Sequence, residues 1–320
     1  MTTRHLVDPE LAAVLDMFPA LNLTTESLSQ VRASLKELST ETRVDLPDFP
    51  AISVSERYIP GPQGAPDVRV LVYLPSNVST PLPVILWIHG GGYVLGAPEQ
   101  EDLQVKNLVS MVGCAAISVD YRLAPETPYP GPIEDCSAAL KWLYTHAGEL
   151  GVDTTRIAIG GGSAGGGLAA GLALLTRDRG EVPLAFQLLI YPMLDDRTGS
   201  SVEPPPHAGE YMWTADSNRF GWKALLGQEP GGQAVSPYAA AASADHLEGL
   251  PPVFIGVDSL DLFLEENLEY ARRLIRAGVP TEVHVYPGAF HSFVMAAGAK
   301  VTQSLTHDLL NALTRAFSKS

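Results

Sequence analysis

Two amphipathic stretches occupy the first 45 residues of the chain. The first has its apolar positions at Leu11, Val14, Leu15 and Phe18. The second has them at Leu28, Val31, Leu35 and Leu38. Positions three and four apart share one face of a helix, so this pattern predicts two helices. A proline-broken segment at 46–50 predicts a linker, and we divide the chain into an N-terminal helical region, 1–45, and a main domain, 46–320.

From residue 52 onward, short apolar or alternating runs are separated by helical stretches. The predicted strands are 52–59, 68–73, 83–89, 115–119, 156–159, 184–190, 253–257 and 281–286. The helical stretches between them include 133–146, 164–177 and 264–277. Apolar runs without alternation are typical of strands that are buried on both faces of a parallel sheet. The order predicts an α/β fold, with a mostly parallel sheet of about eight strands flanked by helices.

One irregular segment, at about 195–227, interrupts this alternation. It contains three consecutive prolines at 204–206 and the aromatic residues Tyr211, Trp213, Phe220 and Trp222. Aromatic residues concentrated between strands favour a cap that covers a binding site. A surface loop whose aromatic side chains pack on one another would produce the same pattern.

Composition and charge narrow the function classes. The chain has 320 residues and a formal net charge of −15, and such a surface repels nucleic acid and anionic membranes. We see no apolar signal core and no run that approaches the ~18 apolar residues of a membrane span. Cys114 and Cys136 form neither a metal-ligand spacing nor a disulfide framework. We therefore expect a cytoplasmic protein that binds neither nucleic acid nor a metal and has no stable membrane insertion.

The most informative segment is a glycine-rich turn between a predicted strand and an alanine-rich helix. Residues 161–165 read G-G-S-A-G, the G-x-S-x-G pattern that projects a nucleophilic serine, here Ser163, into a cleft. The same turn aims the N–H of Ala164 at that cleft. Residues 160–165 also satisfy the dinucleotide fingerprint G-x-G-x-x-G, and the segment alone does not separate the two interpretations. Its position after several strands disfavours a nucleotide, because that fingerprint normally opens the first βαβ unit.

A second glycine cluster, His89–Tyr93, directly follows a predicted strand. Its three successive glycines let backbone N–H groups approach a ligand, as in the oxyanion loop of esterases and lipases. Asp258 and Asp261 both follow a later strand, and His291 follows the last one. The order of serine, aspartate and histidine is that of an α/β-hydrolase triad. The spacing alone leaves both aspartates open.

With these motifs, the sequence resembles the hormone-sensitive-lipase-like (bacterial family IV) carboxylesterases of the α/β-hydrolase superfamily. The matching stretches are His89–Tyr93, Asp120–Glu126, Gly162–Gly166, Leu250–Pro252, Leu260–Phe263 with Tyr270 and Ala271, and Gly288–Phe293. The resemblance covers most of the chain from about residue 52. It implies an α/β-hydrolase fold with a helical cap, built from the N-terminal helices of residues 1–45 and the insertion at about 195–227. It also implies hydrolysis of short- to medium-chain acyl esters without a cofactor.

The resemblance also assigns the site residues. It implies a catalytic triad of Ser163, Asp261 and His291, because the family's acid is the aspartate whose helix carries Tyr-Ala nine residues later. It implies that the oxyanion is bound by the backbone N–H groups of Gly91, Gly92 and Ala164. One departure is Gly162, where the family commonly has aspartate or a similar polar residue.

Two further hypotheses stay open at the level of sequence. A non-catalytic receptor on the same fold would typically lack the histidine, whereas His291 is present. A nucleotide-dependent oxidoreductase would use the turn at 160–165. The favoured partner is a small-molecule ester, and a homodimer is left open. Asp120, Arg122 and Glu126 are expected to form a buried ionic network that braces the oxyanion loop.

Overall fold

The centre of the molecule is an eight-stranded sheet with strand order β1-β2-β4-β3-β5-β6-β7-β8. The computed structural model describes residues 3–17, 22–41, 48–76, 79, 81–232 and 234–318, with side chains omitted at 38–41. The strands are β1 Ile52–Ile59, β2 Val68–Pro75, β3 Leu82–Ile88, β4 Ala115–Asp120, β5 Val152–Gly162, β6 Phe186–Ile190, β7 Val253–Asp258 and β8 Thr281–Tyr286. β2 pairs antiparallel with β1 and with β4, and the other neighbouring strands are parallel.

Helices cover both faces of this sheet. They are α1 Ala12–Met17, α2 Leu28–Glu41, α3 Asp102–Val112, α4 Gly131–Thr145, α5 Ala147–Leu150, α6 Ala164–Arg179, α7 Ala215–Leu226, α8 Leu264–Arg276 and α9 Lys300–Ser318. One hydrophobic core contains apolar residues of α4, α6 and α8, and a second contains those of α3 and α9. α6 is buried along most of its length because its glycine and alanine residues let it pack closely.

The predicted fold class is confirmed, and every predicted strand is present. β1 and β8 have the predicted bounds, whereas β5 is longer at both ends. The segment at 195–227 follows β6 as expected, but it contains the regular helix α7. Within the described residues, α3, α5 and α9 are further helices that lie outside the predicted stretches named above.

The N-terminal region forms the two predicted helices. Leu11 and Val14 are buried, whereas Phe18 and the side chain of Leu38 lie outside the described residues. The proposed boundary at 45/46 also lies outside them and stays a prediction, as do linker residues 46 and 47, whereas residues 48–50 are described and belong to no helix or strand. No helix in the described part of the chain is long and apolar enough to cross a bilayer.

The prediction that three charged residues at or after the end of the fourth strand form one buried ionic network is wrong. Asp120, Arg122 and Glu126 belong to three separate ion pairs, with Arg69, Asp135 and Arg32 respectively. The Glu126 side chain is 62% exposed. Asp120 ends β4, whereas Arg122 and Glu126 lie in the loop that follows, so proximity in sequence does not make these charges meet.

Candidate active site

Ser163 lies in the sharp turn between β5 and α6. Its backbone has φ +55° and ψ −122°, a conformation that costs energy for a residue with a Cβ. Its N–H donates to the carbonyl oxygen of Ile190 at 2.9 Å, which ties the turn to β6. A Cβ on Gly161 or Gly165 would lie only 2.3 or 2.0 Å from the carbonyl oxygen of Ile88. Glycine is therefore required at both positions for β3, β5 and α6 to pack together.

Three predicted residues meet at the carboxyl ends of β5, β7 and β8. Nε2 of His291 lies 2.9 Å from Oγ of Ser163, and Nδ1 of His291 lies 2.7 Å from Oδ2 of Asp261. The other carboxylate oxygen of Asp261 accepts the N–H of Phe263 at 3.0 Å. The exposed fractions are 7% for Ser163, 4% for His291 and 0% for Asp261. This is the geometry in which a base can take the hydroxyl proton while the acid orients the imidazole.

Aromatic rings surround the imidazole of His291. Tyr191 and Phe263 lie edge-on to it, with ring centroids 4.8 and 5.2 Å away, and Trp213 lies 6.5 Å away. Tyr191 has φ +36°, so a strained residue directly after β6 holds one of these rings. The rings limit the access of water to the base, which strengthens the electrostatic interactions within the site.

The second glycine cluster faces Ser163 from the end of β3. Gly91 and Gly92 have φ +117° and +60°, which glycine adopts without steric cost. Among the described residues, none accepts a backbone hydrogen bond from the N–H of Gly91, Gly92 or Ala164. Three unpaired donors beside the Ser163 hydroxyl would suit a developing oxyanion.

Two groups outside the predicted set fix the loop that the sequence predicts to bind the oxyanion, His89–Tyr93. Glu101 accepts the Gly90 N–H at 2.8 Å, and its second oxygen accepts the indole N–H of Trp87. Burial raises the pKa of Glu101, and the two hydrogen bonds oppose that rise. The other group is His89, whose ring stacks on Tyr121 and whose Nδ1 lies 2.8 Å from the Gly90 carbonyl oxygen.

The segment at 195–227 packs directly on the oxyanion loop. A Cβ on Gly92 would lie 2.1 Å from the Trp213 ring, and one on Gly221 of α7 would lie 2.6 Å from the Gly92 carbonyl oxygen. The Trp213 indole N–H donates to Asn218 at 3.1 Å. Of the four aromatic residues in this segment, Trp213 combines contact with the loop and proximity to His291, whereas Trp222 packs on Tyr93.

The carboxyl groups of Asp258 and Asp261 and a nitrogen of His291 lie within 4.8 Å of one another. Such a set resembles the donors of a metal site. Two ligands of one tetrahedral ion stay about 3 Å or more apart, since each bond is about 2 Å long. The 2.7 Å contact between His291 and Asp261 is shorter and is that of a direct hydrogen bond. The donor set therefore suits proton chemistry better than an ion.

A cleft of about 1140 Å³ opens beside the site, between the segment at 195–205 and α8. Leu262 and Glu266 line it, but none of the six predicted site residues does. We therefore do not assign this cleft to the reaction.

Comparison with known proteins places these motifs in a family. A family model described as the α/β-hydrolase fold matches residues 85–295. The chain is 37% identical over 292 residues to carboxylesterase NlhH of Mycobacterium tuberculosis, covering 90% of this chain and 89% of that protein. It is 35% identical over 298 residues to esterase LipI of the same organism, covering 91% and 89%.

Solved structures give the same result. A bacterial heroin esterase superposes with a TM-score of 0.91 at 42% identity, covering 99% of both chains. The esterase LipW from Mycobacterium marinum superposes with a TM-score of 0.87 at 34% identity, covering 98% of this chain and 97% of that one. The likeness spans the N-terminal region as well as the sheet.

Proposed function

The chain belongs to the α/β-hydrolase fold family, and from this membership we propose that it is a carboxylesterase that works through an acyl-enzyme intermediate. The observation that carries the proposal is the continuous hydrogen-bonded line from Ser163 through His291 to Asp261. The names of its relatives, carboxylesterase NlhH and esterase LipI, support an ester as the bond that is cleaved.

In acylation, His291 accepts the Ser163 hydroxyl proton through Nε2 as the oxygen attacks the ester carbonyl. Asp261 holds the imidazole with its proton on Nδ1 and stabilises the imidazolium that forms. The carbonyl oxygen becomes an anion beside the N–H groups of Gly91, Gly92 and Ala164. One such donor is worth about 3–4 kcal/mol of transition-state stabilisation.

His291 then donates its proton to the leaving alcohol, and the alcohol departs. Water takes its place, gives a proton to His291 and attacks the acyl group on Ser163. Collapse of the second tetrahedral intermediate releases the acid and returns the proton to Ser163. No step of this sequence requires a cofactor.

The proposed substrates are esters of short- to medium-chain acids. This preference is supported by the Trp213 ring, which closes one side of the oxyanion loop at Gly92. It is also supported by the small exposed fractions of Ser163 and Trp213, 7% and 6%. A wall of this kind accepts a compact ester more easily than a long chain.

A panel of p-nitrophenyl esters from acetate to palmitate tests the proposal. We expect the highest kcat/KM on the short and medium esters and no turnover above background for Ser163→Ala. Ser118→Ala removes another buried hydroxyl, within β4, and serves as the matched control. Full turnover by Ser163→Ala would contradict the mechanism, and a maximum on palmitate would contradict the substrate class.

A further inference from the structure

Asp258 is a buried carboxyl group to which the proposed mechanism gives no role. It is the last residue of β7 and is 0% exposed. Within the described part of the chain, neither of its carboxyl oxygens has a hydrogen-bond donor. An unpaired buried carboxylate is costly, so the group must be neutral or must share a proton.

The groups that face Asp258 come from four places. Asp261 follows it in the same loop, His291 lies in the loop after β8, Tyr191 follows β6, and Tyr286 pairs with it in β8. The Tyr286 hydroxyl donates to Asp308 at 3.0 Å. Both ring nitrogens of His291 already have partners, Asp261 and Ser163. The remaining polar neighbour is the Asp261 carboxylate, which has an oxygen within 4.8 Å of an Asp258 oxygen and is itself an acceptor.

The two carboxyl groups differ in their donors. Asp261 receives the Phe263 N–H and faces Nδ1 of His291, whereas Asp258 receives neither a backbone nor a side-chain donor. Two buried carboxyl groups with oxygens within 4.8 Å of each other do not ionise together. The negative charge therefore belongs on Asp261, and the proton belongs on Asp258. Burial and the neighbouring Asp261 charge both raise the pKa of Asp258 well above its ordinary value.

We propose that Asp258 is a positioning residue of the triad: a neutral carboxylic acid whose O–H donates a hydrogen bond to the Asp261 carboxylate. With the Phe263 N–H, it holds this carboxylate against Nδ1 of His291. The catalytic part of this inference rests on the proposed esterase function, whereas the location of the proton does not.

The location of the proton is tested by counting protons on unfolding. At pH 6 the folded protein keeps the Asp258 proton, while an aspartate in the unfolded chain, with a pKa of ~3.9, has lost it. Unfolding of the wild type should release about one proton more than unfolding of Asp258→Asn. Calorimetry in buffers of different ionisation enthalpy measures this difference. Asp245→Asn, at an exposed position, should match the wild type, and equal proton counts for wild type and Asp258→Asn would overturn the inference.

The positioning role is tested by a pair of substitutions of similar shape. Asp258→Asn retains a donor toward Asp261, whereas Asp258→Leu has none. We expect Asp258→Leu to lower kcat about ten- to hundredfold relative to Asp258→Asn, the size of one hydrogen bond to a charged group, with little change in KM. Equal kcat values in the two variants would overturn the role. If neither the wild type nor the variants hydrolyse esters, the proposed function fails, while the proton count still decides where the proton lies.

Discussion

Glu101 and Gly90 are joined by a 2.8 Å hydrogen bond from the backbone N–H to the carboxylate. The second oxygen of Glu101 accepts the indole N–H of Trp87, one residue before the end of β3. One side chain thus connects the oxyanion loop to the strand that carries it. The loop's position relative to Ser163 depends on this connection, since a Cβ on Gly90 would lie 3.0 Å from the Gly162 carbonyl oxygen.

Replacing Glu101 should therefore impair catalysis without removing any proposed catalytic group. We expect Glu101→Leu to lower kcat about ten- to hundredfold, because the oxyanion donors lose their fixed position. Glu101→Gln keeps one acceptor oxygen, so its kcat should lie between that of Glu101→Leu and that of the wild type. Steady-state kinetics on p-nitrophenyl butyrate measure the effect, with Glu149→Gln on the surface of α5 as a control. A Leu variant with unchanged kcat would contradict this role.

Gly92 should tolerate no side chain. Gly92→Ala places a Cβ 2.1 Å from the Trp213 ring, on a backbone with φ +60°. We expect kcat/KM to fall more than about a hundredfold, since the clash and the backbone strain both displace the loop. The double variant with Trp213→Ala should recover part of the loss, because the clash is removed and only the backbone strain remains. Gly148→Ala, with open space around its Cβ position, should leave kcat/KM unchanged. Normal activity in Gly92→Ala would show that the loop can move away from Trp213.

The glycines around Ser163 should differ sharply in their tolerance. A Cβ on Gly162 meets the Tyr191 ring at 3.5 Å, an ordinary contact, whereas one on Gly161 meets a backbone carbonyl oxygen at 2.3 Å. We expect Gly162→Ala to keep its activity within about threefold and Gly161→Ala to lose both thermal stability and activity. The departure from the family at Gly162 is thus a missing polar side chain rather than a steric requirement. Melting temperatures and kcat/KM measured on both variants test this, and equal losses would contradict it.

Substitution by asparagine should affect the two aspartates differently. Asp261→Asn presents an amide to Nδ1 of His291, which stabilises the wrong tautomer, and a substitution of this kind costs about 10⁴ in kcat. Asp258→Asn should cost far less, because the asparagine replaces a carboxyl group that is already neutral. Comparison of kcat for the two variants at pH 7.5 shows which aspartate is the acid of the triad. A larger loss for Asp258→Asn would reverse the assignment of the acid.

The strand positions, Ser163 and His291 were predictable because each signal is local: a buried run, a glycine turn, or a residue after a strand. The choice of Asp261 over Asp258 came from the family resemblance, because both aspartates lie at or just after the end of the same strand. Glu101 was not predictable, because it lies in a 3-10 turn at Pro98–Glu101, and only the folded chain brings it to Gly90. The role of Trp213 was equally hidden among the aromatic residues of its segment. The expected ionic network failed for the same reason, since side-chain direction after β4 is set by tertiary contacts.

The most direct test of the central claim is the chemistry of the first turnover. Rapid mixing with p-nitrophenyl butyrate should give a burst of p-nitrophenol of about one per protein molecule, provided that deacylation is slower than acylation. Mass spectrometry of the acid-quenched protein should find the butyryl group on Ser163. The Ser163→Ala variant should show neither signal. A butyryl group on another residue, or a Ser163→Ala variant that still hydrolyses the ester, would contradict the assignment of Ser163 as the nucleophile.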